Sequence, residues 1–244
     1  RVRTSGTGPD VVLIHGWAAS GRMMEPVAMA LDERFTCHVV DLPGHGFGVE
    51  GRVDPALGDL VAAVDDYVAG LAKPPVLIGW AMGALIALGV GARRKLRGAV
   101  CIGTASGGGE LGPAFEKMAA RMARDWPRYV RSSVDAIVGD RVSPEMHGFV
   151  VETMQQTPPA LARRTLLDVA RTDATAWAAE LACPVLYQHG AEDVISPPAV
   201  ARALEAATPR ATLKVYDGIG HAPFLETREA FLADLHHFLG GLDD

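Results

Sequence analysis

An α/β fold, a mostly parallel central sheet with helices on both faces, is what the residue pattern of this chain predicts. Three observations carry that expectation. Short apolar runs at 11–14, 37–40, 76–78, 99–102, 185–187 and 213–216 show continuous rather than alternating apolarity, as strands buried on both faces require. Segments with helical spacing separate most of them. With 244 residues, 49% of them apolar, the chain is long enough for one sizeable core.

Taken in order, residues 55–71 place Leu57, Leu60, Val61, Val64, Val68 and Leu71 at i, i+3, i+4, i+7 steps, the stripe of an amphipathic helix. Residues 82–91, rich in Ala and Gly, suit a helix packed closely on a sheet. Helices are also expected over 197–207 and 222–239, and strands alternating with helices predict right-handed crossovers. Between about 110 and 181 the strand signal disappears. There Phe115, Met118, Met122 and Trp126 fall on one helix face before Pro127 interrupts, and a second helical tract covers 160–177. An all-helical insertion of this kind reads as a lid. The expected organisation is a core of residues 1–109 and 182–244 carrying a helical cap of residues 110–181.

Composition excludes several classes. A formal charge of −6 argues against general affinity for nucleic acid or anionic membrane. No apolar run approaches the roughly 18–20 residues needed to span a bilayer, and the N-terminal residues hold no stretch of signal-peptide length. Cys37, Cys101 and Cys183 lack metal-type spacing and read as buried free thiols of a reducing compartment, hence a cytoplasmic location. No metal or cofactor is expected, since the histidines show no ligand spacing and Gly44-His45-Gly46 has the wrong continuation for a dinucleotide loop.

Four motifs follow strand-like runs in a telling order. Gly79-Trp80-Ala81-Met82-Gly83 has the frame Gly-x-Ser-x-Gly of a strand-to-helix nucleophile turn, with alanine in the nucleophile's place. His15-Gly16-Trp17 lies where an oxyanion-binding N–H is supplied, so the amides of Trp17 and Met82 are the expected donors. Asp193 follows the run at 185–187, where a carboxylate can hold a catalytic imidazole, and fits better than Glu192 by its spacing from Gly190. His221, in a glycine-rich loop before Pro223, closes the order nucleophile position, acid, histidine. Trp80, His15 and Gly16 are expected to border the substrate. His38, His147, His236 and His237 have no such context.

Together with 13–17, the stretches 40–46, 79–83 and 221–224 identify the chain as resembling the α/β-hydrolase superfamily over nearly its whole length. Trp17, Trp80 and His221-Ala222-Pro223-Phe224 make it most similar to the small esterases that cleave the methyl ester of pimeloyl-acyl carrier protein in biotin synthesis. The resemblance implies an α/β-hydrolase fold and a serine carboxylesterase needing no cofactor, with a nucleophile at position 81, supported by Asp193 and His221. Alanine is the smallest change that preserves the turn, so Ala81 reads as an engineered replacement that disarms the enzyme. The alternatives are a natural non-catalytic ligand binder and a small-molecule hydrolase, a lactonase or carbon–carbon bond hydrolase, without a protein partner.

The partner expected from the resemblance is an acyl substrate on an acidic carrier protein. On one continuous helix Lys117, Arg121, Arg124, Arg128 and Arg131 would share a face, and Arg163, Arg164 and Arg171 add charge in the second tract. That stripe serves either as a docking surface or as a solvated cap face.

Overall fold

The computed structural model describes residues 1–46, 54–106 and 113–242, the side chains of 113–116 excepted. Its centre is a sheet of strands β1 (Val2–Ser5), β2 (Asp10–Ile14), β3 (Thr36–Val40), β4 (Val76–Trp80), β5 (Gly98–Ile102), β6 (Val185–Gly190) and β7 (Ala211–Tyr216). Their order is β1-β3-β2-β4-β5-β6-β7. Only β1 runs antiparallel, pairing Val2 with Val40 and Ser5 with Cys37. The other pairs are parallel, with Ile14 opposite Gly79 and Trp80 opposite Ile102.

The continuous apolarity of the central strands has a direct structural reading. In β2, Val11 and Leu13 enter one buried cluster and Val12 and Ile14 the other, so successive residues feed opposite faces. The same alternation separates Ile78 from Leu77 in β4 and Val100 from Ala99 in β5. One face is covered by α1 (Glu25–Leu31) and α11 (Arg228–Gly240), and the buried cluster on that side continues into α5 (Trp126–Ile137) and α6 (Pro144–Gln155). The other is covered by α2 (Leu57–Ala69), α3 (Met82–Gly91) and α9 (Pro198–Ala207). The predicted α2 stripe is buried at Leu57, Leu60, Val61, Val64 and Val68. Leu71 lies past the end of that helix. Residues 82–90 of α3 are buried all round, which explains their small side chains.

Among the described residues five helices lie between β5 and β6: α4 (Pro113–Arg124), α5, α6, α7 (Pro159–Arg171) and α8 (Thr175–Ala179). Three expectations are corrected here. The tract 160–177 is two helices, because Thr172 turns to an extended conformation. The tract 222–239 is likewise divided, into α10 (Pro223–Glu226) and α11, at Thr227. Pro127 opens α5 rather than merely ending α4, and Asp125 caps that helix by accepting from Arg128 N at 3.1 Å. The expected cap boundary at residue 110 and the side chain of Phe115 lie outside the described residues.

Run 213–216 begins earlier, at Ala211, and is not buried on both faces. Among the described residues β7 pairs only with β6, and residues 211–215 alternate between partly buried and exposed. The three cysteines are free and buried, and burial pushes the Cys37 thiol up to about 12. No helix among the described residues is long and apolar enough to cross a membrane.

Candidate active site

Strand β4 ends at Trp80 and α3 begins at Met82, leaving Ala81 alone on the turn with φ 51° and ψ −112°. That backbone is sparsely populated for an L residue and costs roughly 1–3 kcal/mol. Neighbours hold it in place. Its N–H donates to Ile102 O at 2.8 Å, and its carbonyl accepts from Ala84 and Leu85 in the first turn of α3. The flanking glycines are steric necessities: a Cβ on Gly79 would overlap the Gly83 oxygen, and one on Gly83 would overlap the Ile14 oxygen.

Asp193 and His221 arrive from the ends of β6 and β7. His221 Nδ1 lies 2.7 Å from Asp193 Oδ2, and both residues are almost fully buried. Asp193 Oδ1 also accepts from Ile195 N and Ser196 N, each at 2.9 Å. Burial alone would raise this carboxyl, but the hydrogen bond and charge of His221, with the Ser196 N–H, outweigh it and hold it below its ordinary value. An ionised acceptor requires a donor, so the Asp193 contact selects the His221 tautomer with hydrogen on Nδ1. Nε2 is left as the basic nitrogen.

Main-chain bonds fix the imidazole from several sides. His221 N–H donates to Ile137 O at 3.1 Å, and Trp80 Nε1 donates to His221 O at 3.0 Å. The Trp80 and His221 rings lie 5.8 Å apart. His189 is a second buried imidazole beside the acid, 3.3 Å from Asp193 Oδ2, and its Nε2 donates to Ser196 O at 2.7 Å. Burial lowers its pKa.

The loop after β2 is braced by His15. Its Nδ1 donates to Gly16 O at 2.8 Å, and its Nε2 accepts from Leu42 N at 3.1 Å. Burial, with the nearby His45, lowers its pKa to about 3, so it stays neutral and keeps that acceptor. Gly16 packs against the Trp80 ring, which a Cβ would meet at 2.8 Å. Next in line, Trp17 donates from Nε1 to Ala162 O at 2.7 Å and meets Trp126 and Tyr129 edge-on, at 6.0 and 6.3 Å. The main-chain N–H groups of Trp17 and Met82 bond nothing among the described residues. Met82 opens α3, where a helix leaves its N–H groups without internal acceptors.

The structure thus brings Ala81, Asp193 and His221 to one end of the sheet, after β4, β6 and β7, with the Trp17 loop tied alongside through Gly16 and Trp80. His15 and Trp80 make main-chain hydrogen bonds that brace the two loops. The basic residues are placed differently from the expectation. Lys117, Arg121 and Arg124 lie on α4 and Arg128 and Arg131 on α5, all exposed, with the helix broken at Asp125 between them. Arg163 is exposed on α7, and Arg164 forms an ion pair with Asp54 at 3.3 Å. Sequence reasoning gave no role to His189 or Glu226. His189 directly precedes Gly190 and Glu226 lies five residues after His221, but neither position marks a role by itself.

The profile of the alpha/beta hydrolase family matches residues 11–235. A pimeloyl-[acyl-carrier protein] methyl ester esterase of Stenotrophomonas maltophilia (strain K279a) is 30% identical, the match covering 99% of this chain and 96% of that protein. The like-named protein of Xanthomonas campestris pv. campestris (strain B100) is 31% identical, with 97% of each covered. Among solved structures, an esterase from Exiguobacterium antarcticum superposes with a TM-score of 0.92 at 18% identity, covering 98% of this chain and 95% of that one. A thermophilic esterase from Thermogutta terrifontis gives 0.83 at 25% identity, covering 100% and 94%. The elbow at Ala81, the buried acid–histidine pair and the full-length matches lead to one assignment: the chain belongs to the alpha/beta hydrolase family.

Proposed function

We propose that this chain is the framework of a serine carboxylesterase acting on the methyl ester of pimeloyl-acyl carrier protein, with alanine in place of its nucleophile by replacement. The observation that carries the reading is the buried Asp193–His221 hydrogen bond of 2.7 Å at the strand ends beside the strained Ala81 turn. Such strain at a non-glycine position marks a functional turn, and here it persists without a hydroxyl to present.

With serine at position 81, His221 Nε2 takes the hydroxyl proton as the oxygen attacks the ester carbonyl, and Asp193 stabilises the imidazolium. The Trp17 and Met82 N–H groups receive the developing oxyanion. His221 then protonates the leaving alcohol and activates water to release the acid. With alanine there, turnover falls on the order of 10⁶-fold while binding is retained.

In this reading residues 110–181 form a cap on a core of 1–109 and 182–244. Bonds from Trp17 Nε1 to Ala162 O and from Thr157 Oγ1 to Ala18 O, at 2.7 and 2.9 Å, support it by fastening the helical segment over the Trp17 loop. Exposed Lys117, Arg121, Arg124, Arg128, Arg131 and Arg163 offer positive charge to an acidic carrier, with Arg164 partly neutralised by Asp54.

The test is Ala81→Ser, assayed on a short-chain aryl ester and on a methyl-esterified acyl carrier protein. Hydrolysis of both supports the proposal. Cleavage of the aryl ester alone points to a small-molecule hydrolase. No gain on either substrate leaves a ligand-binding protein.

A further inference from the structure

Three consecutive main-chain N–H groups around His221 are each held by a specific acceptor. Gly220 N donates to Glu226 Oε2 at 2.7 Å, His221 N to Ile137 O at 3.1 Å, and Ala222 N to Glu226 Oε1 at 2.8 Å. The Glu226 side chain is fully buried, and Arg141 Nε reaches its Oε2 at 2.5 Å. Gly220 is enclosed so closely that a Cβ there would strike the Arg141 guanidinium. Ile137 ends α5 and Arg141 follows it, so one of the three acceptors, and the guanidinium that holds Glu226, come from the helical segment between β5 and β6.

We propose that Glu226 is a positioning residue, clamping the His221 loop to that segment through Arg141, so that the seating of the segment sets the place of the imidazole. The physical reason lies in the acceptor count. A carboxylate offers two oxygens, and here each takes one flanking N–H while Oε2 also meets the guanidinium. No water reaches the fully buried side chain to replace a lost bond. An imidazole whose loop is held at both flanks keeps its hydrogen bond to Asp193. Without the clamp, displacement by about 1 Å is enough to cost on the order of 10²-fold in rate. The catalytic part of this inference rests on the proposed esterase reading, but its structural part does not.

The test therefore has two arms. In the chain as it stands, the low-field proton resonance of His221 Nδ1–H, assigned by selective histidine labelling, reports the bond to Asp193. Glu226→Gln should broaden or shift that line, since an amide offers one acceptor and turns a donor toward an N–H group. Arg141→Ala should act in the same direction, and Arg141→Lys should restore part of the effect. In the Ala81→Ser background, Glu226→Gln should lower kcat by roughly 10–100-fold with KM within about twofold. If Glu226→Gln does not fold, as monitored by circular dichroism, Arg141→Ala serves alone. An unchanged His221 line in a folded variant overturns the proposal, whatever happens to melting temperature. An Ala81→Ser protein without esterase activity would instead sink the functional reading, leaving the resonance to decide this one.

Discussion

Trp80 donates its indole N–H to the main-chain oxygen of His221 at 3.0 Å. The residue immediately before the elbow alanine thus holds the histidine loop from beneath, linking β4 directly to the chain that follows β7. Trp80→Phe keeps an aromatic ring but deletes the donor and part of the buried volume, leaving a buried carbonyl unpaired at about 1–3 kcal/mol and adding the cost of a cavity. A urea titration should show that loss of stability. In the Ala81→Ser background kcat should fall by roughly tenfold as His221 gains freedom.

Ala81 sits at φ 51°, where glycine alone is unstrained. Ala81→Gly should therefore stabilise the protein by about 1 kcal/mol, the relief of strain outweighing the added chain entropy. An unchanged or lower urea midpoint would show that the turn is not strained in solution.

Asp193→Asn keeps the side chain's shape but turns either a neutral acceptor or a donor toward His221 Nδ1. In the Ala81→Ser background kcat should drop on the order of 10⁴-fold, since the histidine loses its imposed tautomer. Steady-state kinetics on an aryl ester measure it.

Acid sensitivity follows from His15 and His45. Their folded pKa values are lowered from 6.5 to about 3 and about 4, each mainly by burial. Between those values and 6.5 the unfolded chain binds more protons, so stability declines as pH falls through that window. Each proton so withheld contributes about 1.4 kcal/mol per pH unit. His189, also lowered by burial, adds in the same direction. Urea midpoints measured from about pH 7.5 to about pH 4.5 should be level above 6.5 and fall steeply below it.

On the proposed reading, binding of an acyl carrier protein through the exposed arginines of α4 and α5 should weaken as salt rises from roughly 50 to 500 mM. Replacing Arg121 and Arg124 by Glu should lower affinity further, by about tenfold or more, without altering aryl ester hydrolysis in the Ala81→Ser background. Titration with an acyl carrier protein reads both effects.

The central strands, and the placement of Ala81, Asp193 and His221 just past strand ends, were legible because burial on two faces and tight turns leave marks in consecutive residues. What escaped detection left weaker marks. β1 contributes one apolar residue, Val2, at a sheet edge, and its place is set by pairing with β3 and by Arg3 meeting Asp41 at 2.9 Å. α1 buries only Val27, Ala28 and Leu31 in two turns, too short a pattern to separate from a loop. α6 could have been found from Ser143-Pro144-Glu145, since Ser143 caps the helix by accepting from Met146 N at 3.2 Å. Glu226 escaped because its partners are main-chain N–H groups, and the distant Arg141 carries no local pattern pointing to it. The continuous basic stripe failed for a local reason, as Asp125 and Pro127 restart the helix between Arg124 and Arg128.

The alternation of Leu77 and Ile78 between the two buried clusters makes β4 intolerant of any change in length. Deleting one residue ahead of Gly79 would exchange the strand's faces, burying its side chains against the wrong helices and rotating the elbow away from the imidazole. Away from Ile137 and Arg141, which hold the His221 loop, segment 113–179 carries no such constraint, since an extra helical turn there need not shift any rung of the ladder. Selection for new substrates can therefore remodel the helices above the sheet while the strand beneath admits only exchanges of one side chain for another.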